Sequence, residues 1–438
     1  MPLSSPQIAA PHRPAVRTPQ SGPGGPGGRR GRLGSTAVVT PPDSGLPAQP
    51  PLPGLLNLNP QQQVYSAFFL YALAMGGIFP RVGEIQRALG INERVLGLAL
   101  IGTASGTMIS LTLASRWLDG WGHGRVLRLG LPLLALVFAG ASWAPGPLAL
   151  YLLLLPAGLV IGAVEIVVNL EADRVEHQLG RRIMSRSHAC WSIGFFTAGL
   201  LGAAAAQSGL SVQAHLAGMV ALVALASGLL LRGFAPAEHR PDAHAGAAPH
   251  WARPTRHTGL LVMATLAAMV LEGAGIDWSA IYMRDVFAAP PFAAGVAVAV
   301  GAMAQAGARW VADGLVARHG PLRVARSLQT LLGLGAALVL LAPHPAVALI
   351  GFALMGVGSS AIFPLAMSAA AQATDRPAAV NVAALAQTSF IAFLLGPPLL
   401  GWVATGWGIR WSFGVGLPLV LLGWWAARAL APSPQPPR

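Results

Sequence analysis

Apolar residues run almost unbroken through most of this chain, in blocks close to the ~20 residues that a helix needs to cross a ~30 Å hydrocarbon layer. Six blocks come first: Val64–Phe79, Val95–Ser115, Val126–Trp143, Leu148–Leu170, His188–Ala206 and Val212–Leu231. A polar interval rich in Pro, His and Ala follows, from Arg232 to His257. Six more blocks cover Gly259–Tyr282, Phe292–Val311, Val324–Leu341, Ala346–Ala371, Val382–Ala404 and Trp411–Leu430. The pattern predicts an all-α membrane protein. Its twelve transmembrane helices form two pseudo-symmetric six-helix bundles, residues 61–233 and 258–431, with a linker at 234–257 and a short tail at 432–438.

One short pattern occurs twice, about half a chain apart. The first copy reads Arg116-Trp117-Leu118-Asp119-Gly120 and the second Arg309-Trp310-Val311-Ala312-Asp313-Gly314. Each follows an apolar block and precedes an arginine-rich step into the next, so both are expected in cytoplasmic loops. A repeated loop inside a hydrophobic chain points to a duplicated membrane bundle, and such bundles are mostly transporters.

Composition agrees. Hydrophobic residues make up 54% of the chain and charged residues 10%, against about 25% charged in a soluble domain, and the mean hydropathy is +0.59. Lipid must therefore be the solvent for much of the surface. The net charge of +13 comes from arginine alone, because the sequence has no lysine. It forms no basic stripe with interleaved aromatics, so nucleic acid is not the expected partner. The arginines instead collect between apolar blocks and set an orientation with both termini cytoplasmic. Arg125 and Arg128, Arg174 to Arg186, the linker arginines, and Arg318 to Arg326 fall on one side. The connections Ala144–Pro147, Gln207–Ser211 and Pro343–Pro345 on the other side carry none. Arg81, Arg87 and Arg94 break this rule, partly balanced by Glu84 and Glu93. Residues 1–60 are rich in Pro, Gly, Ser and Arg without an apolar stretch, and are expected to be a disordered cytoplasmic tail. The lone Cys190 allows no intramolecular disulfide or thiolate cluster. His239, His244, His250 and His257 are spaced too loosely in Pro/Ala-rich sequence to predict a metal site. No cofactor is expected.

Six helices, a linker, six helices and a loop repeated after the second and eighth spans resemble the major facilitator superfamily. Its loop signature, Gly-x-x-x-Asp-Arg/Lys-x-Gly-Arg/Lys, is similar to Ser115 through His123, with Asp119 and Gly122 matching and Arg125 just beyond. The second-half counterpart runs from Arg309 to Gly320, with Asp313 matching. The resemblance implies a gating role for Asp119, Gly122, Arg125, Arg309 and Asp313, with the aspartate near a neighbouring helix N-terminus, where a carboxylate is favoured by roughly 0.3–1 kcal/mol. A narrower likeness, carried by Gly162…Glu165…Asn169, Glu176…Arg181…His188…Ser192-Ile193-Gly194, Glu272-Gly273 and Asp277-Trp278, resembles a bacterial inner-membrane branch near the fucose-permease-like members. That branch would carry aspartate where Glu165 stands. The superfamily's usual state, a monomer in the bacterial cytoplasmic membrane, is implied here too.

A carboxylate within a bilayer costs roughly 2.5–3.5 kcal/mol, so each needs a reason. Glu165 lies in the fourth span, with Asn169 one turn later on the same face. Glu272 lies deep in the seventh. By the resemblance, the first, fourth, seventh and tenth spans line a central cavity, which places both carboxylates there. Either is a candidate to take up and release a proton; the bland alternative is a structural partner for an arginine or a backbone group. Asp277 sits five residues past Glu272, about 140° round the helix. Trp278 offers a flat face to a ring-bearing ligand, or belongs to an interfacial aromatic belt. His188 is expected to bond Glu176 or Glu171 in a charge-dense inner loop, and Arg181 in that loop to serve as a gate or as a solvated charge.

No Walker loop or hydrolytic constellation is present, so an enzyme is not expected. The leading expectation is a proton-coupled secondary transporter that takes up a sugar-like or other small polar solute across the cytoplasmic membrane. An exporter of the same fold, and a non-transporting sensor that binds a ligand without moving it, are the alternatives.

Overall fold

The computed structural model describes residues 58–113, 118, 120–181, 183–238 and 252–431. Nearly all of residues 1–60, Arg116 and Asp119, the linker histidines His239, His244 and His250, and the tail 432–438 lie outside the described residues. So the expectations made for them, Asp119's gating role included, have no structural counterpart.

Among the described residues, regular structure is entirely helical, and twelve stretches are long and apolar enough to span a membrane. They are α1 Pro60–Leu89, α2 Glu93–Leu113, α3 His123–Ala141, α4 Pro147–Leu179, α5 Arg186–Gln207, α6 Val212–Leu230, α7 Arg256–Phe287, α8 Pro291–His319, α9 Pro321–Leu341, α10 Pro345–Gln372, α11 Val380–Trp407 and α12 Ile409–Leu430. Local chemistry sets their ends. Asn59 and Gln62 form a capping box at α1, and Thr255 and Thr258 form one at α7. Pro147, Pro291, Pro321 and Pro345 sit in first turns, where the missing N–H costs nothing.

The two halves repeat the same contacts. In the first, α2 and α4 approach so closely that a side chain at Gly158 would meet the Thr103 carbonyl and the Gly106 Cα. In the second, the equivalent helices α8 and α10 meet at Gly301 and Gly356, where a Cβ on Gly356 would collide with the Gly301 carbonyl. Small residues let backbones approach where lipid offers no hydrophobic drive between helices. The halves join along two seams of the same kind. Ala203 and Ala299 fit against Gly295 and Gly199 between α5 and α8, and Gly97 fits against Pro397 between α2 and α11.

Two sequence expectations need correction. The second copy of the repeated pattern is no loop: Arg309 to Gly314 lies inside α8, which continues to His319. Leu315 to His319, with no Gly or Pro among them, continue the helix past Gly314 until Gly320 ends it at φ 81°. The structural repeat is the turn itself, since Gly122 before α3 and Gly320 before α9 both hold positive φ (76° and 81°), a conformation that glycine adopts without strain. One of the arginines that broke the orientation rule, Arg81, also has a local explanation. Arg81 is fully buried rather than exposed in a loop; its Nη2 donates to Glu84 at 2.9 Å and to the Leu210 carbonyl at 2.7 Å.

Candidate functional site

Glu165 lies 18 residues past Pro147 on α4, roughly 27 Å from its start, and Glu272 lies 16 residues past Arg256 on α7, roughly 24 Å along. Both are therefore at mid-membrane depth, and the fold brings charged and polar partners to each. On the first half, the buried Tyr71 of α1 lies close enough to the Glu165 carboxylate to interact with it. Asn169 Nδ2 donates to Glu165 Oε1 at 3.0 Å, the one-turn pairing expected of that spacing. On the second half, Arg309 Nη2 stands 3.8 Å from Glu272 Oε1.

Arg309 is also what connects the two. Its Nε donates to the Ser360 carbonyl at 3.0 Å, within the break in α10. Its Nη1 reaches Ser192 Oγ on α5 of the other half at 3.3 Å, and Glu165 lies within its electrostatic reach. Arg309 is thus paired with one carboxylate and close enough to feel the charge of a second. A lone buried charge is costly and a paired one much less so, which accounts for an arginine at this depth. Sequence reasoning missed this role by assigning Arg309 to a gating loop, although the apolar window Phe292–Val311 already enclosed it. Tyr71 carried no distinguishing signal beyond being a polar atom in an apolar run, and Ser192 stood out only within the branch likeness, without a role.

Beside the pair lies a small cavity of about 40 Å³. Trp191 and Phe195, stacked with centroids 5.3 Å apart, form one wall. Phe352, Met355 and Ile276 add apolar surface, and Glu272, Gln305 and Ser359 supply the polar groups, with Gln305 Nε2 donating to Ser359 Oγ at 3.2 Å. Few polar groups in a mostly apolar concavity is the ordinary make-up of a small-molecule site.

The other candidates fall elsewhere. Trp278 is fully buried and packs near Gly401 of α11, so it neither faces the cavity nor joins an interfacial belt. Asp277, on α7 beyond Glu272, is half-buried outside the cavity lining, and among the described residues no hydrogen bond or ion pair reaches it. His188 bonds neither Glu176 nor Glu171. It packs edge-on against Phe68 at 5.1 Å and lies within reach of the Arg309 charge. Its expected partners are engaged otherwise, because both are nearer to backbone and basic groups at the helix ends. Glu176 Oε2 accepts the Ile183 and Met184 backbone N–H groups at 2.7 and 3.0 Å, capping α5. Glu171 pairs with His123 and Arg174 and accepts the Ala237 N–H at 2.9 Å. Arg181 donates to Gln61 of α1 at 2.5 Å. Arg125 and Asp313 are exposed.

Hydrogen bonds between the halves gather where α1 and α7 end. Arg284 Nη1 donates to the Gly83 carbonyl at 2.7 Å and Nη2 to Gln86 Oε1 at 3.1 Å. Arg94 N donates to Thr405 Oγ1 at 3.1 Å, and Phe292 N to Gln207 Oε1 at 3.2 Å. That end is closed.

Twelve spans in two like halves, with shared charge between them, define a secondary-transporter fold, and known proteins agree. The Major Facilitator Superfamily model matches residues 64–390 and 260–438, and the chain belongs to that superfamily. It is 30% identical over 359 residues to an uncharacterized transporter, y4wD, of Sinorhizobium fredii, covering 81% of this chain and 94% of that protein. Among solved structures, the nucleoside transporter NupG aligns at TM-score 0.61 and 16% identity, over 85% of this chain and 98% of that one. A D-xylose-proton symporter aligns at 0.62 and 12%, over 85% and 96%. The fold is theirs, and this protein is a multi-pass membrane transporter of that superfamily.

Proposed function

We propose that this protein moves a small, ring-bearing polar solute across the bacterial cytoplasmic membrane by alternating access, coupled to protons, with both termini cytoplasmic. The observation that carries the reading is the shared guanidinium: Arg309 pairs with Glu272 of its own half and touches Ser192 of the other, with Glu165 in reach. With Glu165 protonated, Arg309 stays with Glu272. Deprotonation gives it a second carboxylate across the seam, so proton occupancy biases how the halves pack. Asn169 and Tyr71 hold the Glu165 carboxyl in place during that exchange.

Solute class follows from the cavity and the neighbours. The stacked Trp191–Phe195 wall suits the flat face of a ring, and Glu272, Gln305 and Ser359 suit its polar edge. Structures of this fold include a nucleoside transporter and a xylose symporter, which makes nucleosides and pentoses the first solutes to try. At the end where α1 and α7 begin, Gly122, Arg125, Asp313 and Arg181 serve the gate.

The test is uptake of labelled nucleosides and pentoses into proteoliposomes under an imposed pH gradient. Accumulation by the native protein and its loss in Glu165→Gln, with gradient-free counterflow retained, is the expected result. Gradient-driven accumulation undiminished in both Glu165→Gln and Glu272→Gln would remove these carboxylates from coupling.

A further inference from the structure

The ends of α9 and α12 carry a cation–aromatic surface that the translocation path does not use. The Arg326 guanidinium lies 4.1 Å over the Trp424 ring, and that of Arg428 lies 3.6 Å over Trp425. Both tryptophans are exposed. Arg323, one turn before Arg326 on α9, is exposed as well, as is Arg428. Packing brings the groups together: Ala325 and Ala427 belong to one buried cluster, and Gln329 seats against Gly423.

Among the described residues no acidic group pairs with this charge. From Gly320 to Arg438 the sequence holds one acidic residue, Asp375, and that one accepts a hydrogen bond from Asn381 at 2.7 Å. Among the described residues no ion pair reaches Arg323, Arg326 or Arg428. The buried Nε of Arg326 has no hydrogen-bond partner.

A guanidinium held over an indole keeps N–H donors at its edge that can receive a phosphate. Tryptophan at the end of a lipid-crossing helix sits at headgroup depth. The anion concentrated there is the lipid phosphodiester. We propose that the α9–α12 surface binds an anionic phospholipid, its phosphate between Arg326 and Arg428 and its acyl chains along the exposed Leu421 and Trp424. Three uncompensated arginines repel the ammonium of a zwitterionic headgroup, so selectivity is for net negative lipid.

The test uses the full chain in neutral detergent, with phosphatidylglycerol or phosphatidylcholine added back, read as lipid retained per monomer by native mass spectrometry and as melting temperature. The native protein should retain phosphatidylglycerol preferentially and melt higher with it. An interfacial arginine contributes a factor of about five, so Arg326→Gln/Arg428→Gln should weaken retention roughly 25-fold. Arg428→Lys keeps the charge but not the guanidinium over the indole and should fall between the native protein and the double variant, and Arg94→Gln at the opposite end should change nothing. Retention is counted only on the monodisperse fraction, so a variant that misfolds does not pass for one that fails to bind. Equal retention of the two lipids by native protein, unchanged retention in the double variant, or the same stabilisation by inorganic phosphate alone overturns the proposal.

Discussion

Arg309→Gln is the most revealing single change. The 3.8 Å separation from Glu272 corresponds to about 4 kcal/mol at an effective dielectric near 20. The two side chains are 18% and 22% exposed, so solvent screening brings this to about 2 kcal/mol. The variant also gives up the bonds to Ser360 and Ser192, at about 1 kcal/mol each. The single variant should therefore lose roughly 3–4 kcal/mol, with Glu272 left facing an apolar cavity alone. Glu272→Gln/Arg309→Gln should lose less than the sum of the two singles, by a coupling of about 2 kcal/mol. Equilibrium unfolding of the native protein, both singles and the double in mixed micelles measures that coupling. A value below about 0.5 kcal/mol would mean that the pair makes no real interaction, and the shared-guanidinium scheme would lose its basis.

Three further outcomes are expected. Tyr71→Phe removes the hydroxyl beside Glu165 and should slow solute exchange roughly fivefold to tenfold, for about 1 kcal/mol, with the melting temperature little changed; exchange at the native rate would detach Tyr71 from the site. Gly158→Val places a side chain against the Thr103 carbonyl and Gly106 and should cost at least about 2 kcal/mol, visible as loss of the monodisperse peak in size-exclusion chromatography. Asp375, in the connection between α10 and α11, is held below the usual carboxylate range by hydrogen bonds from Thr255 and Asn381. Its ionised form therefore stabilises the fold at neutral pH, and that contribution disappears as pH falls through the lowered value. Asp375→Asn should lower the melting temperature near pH 7 and match the native protein in strong acid; a pH-independent difference would contradict this.

The spans were legible because lipid imposes a length and a composition that few other structures share. The Glu165–Asn169 pairing was legible because helical spacing alone puts those side chains together. Which faces meet was not. Apolar side chains cover a membrane helix on both its lipid side and its core side, so the amphipathic signal that orients a helix in a soluble protein is missing. Hence Trp278 read equally well as ligand platform or belt residue and is neither. Arg309 read as a loop residue because its neighbours repeat a loop pattern, although the apolar window Phe292–Val311 already placed it within the span. His188 was assigned to carboxylates close in sequence, which cap α5 and bind the start of the linker instead.

The central claim is that the two halves rock about the Arg309 site. Spin labels on cysteines replacing Ala88 and Phe292, exposed residues of opposite halves at the closed end, test it directly in a Cys190→Ser background by pulsed electron resonance distances. The account predicts a short-distance population matching the closed end seen here, and a longer one whose share changes with pH and shifts in Glu165→Gln. A single distance, unchanged by pH and by that substitution while solute exchange continues, would contradict it.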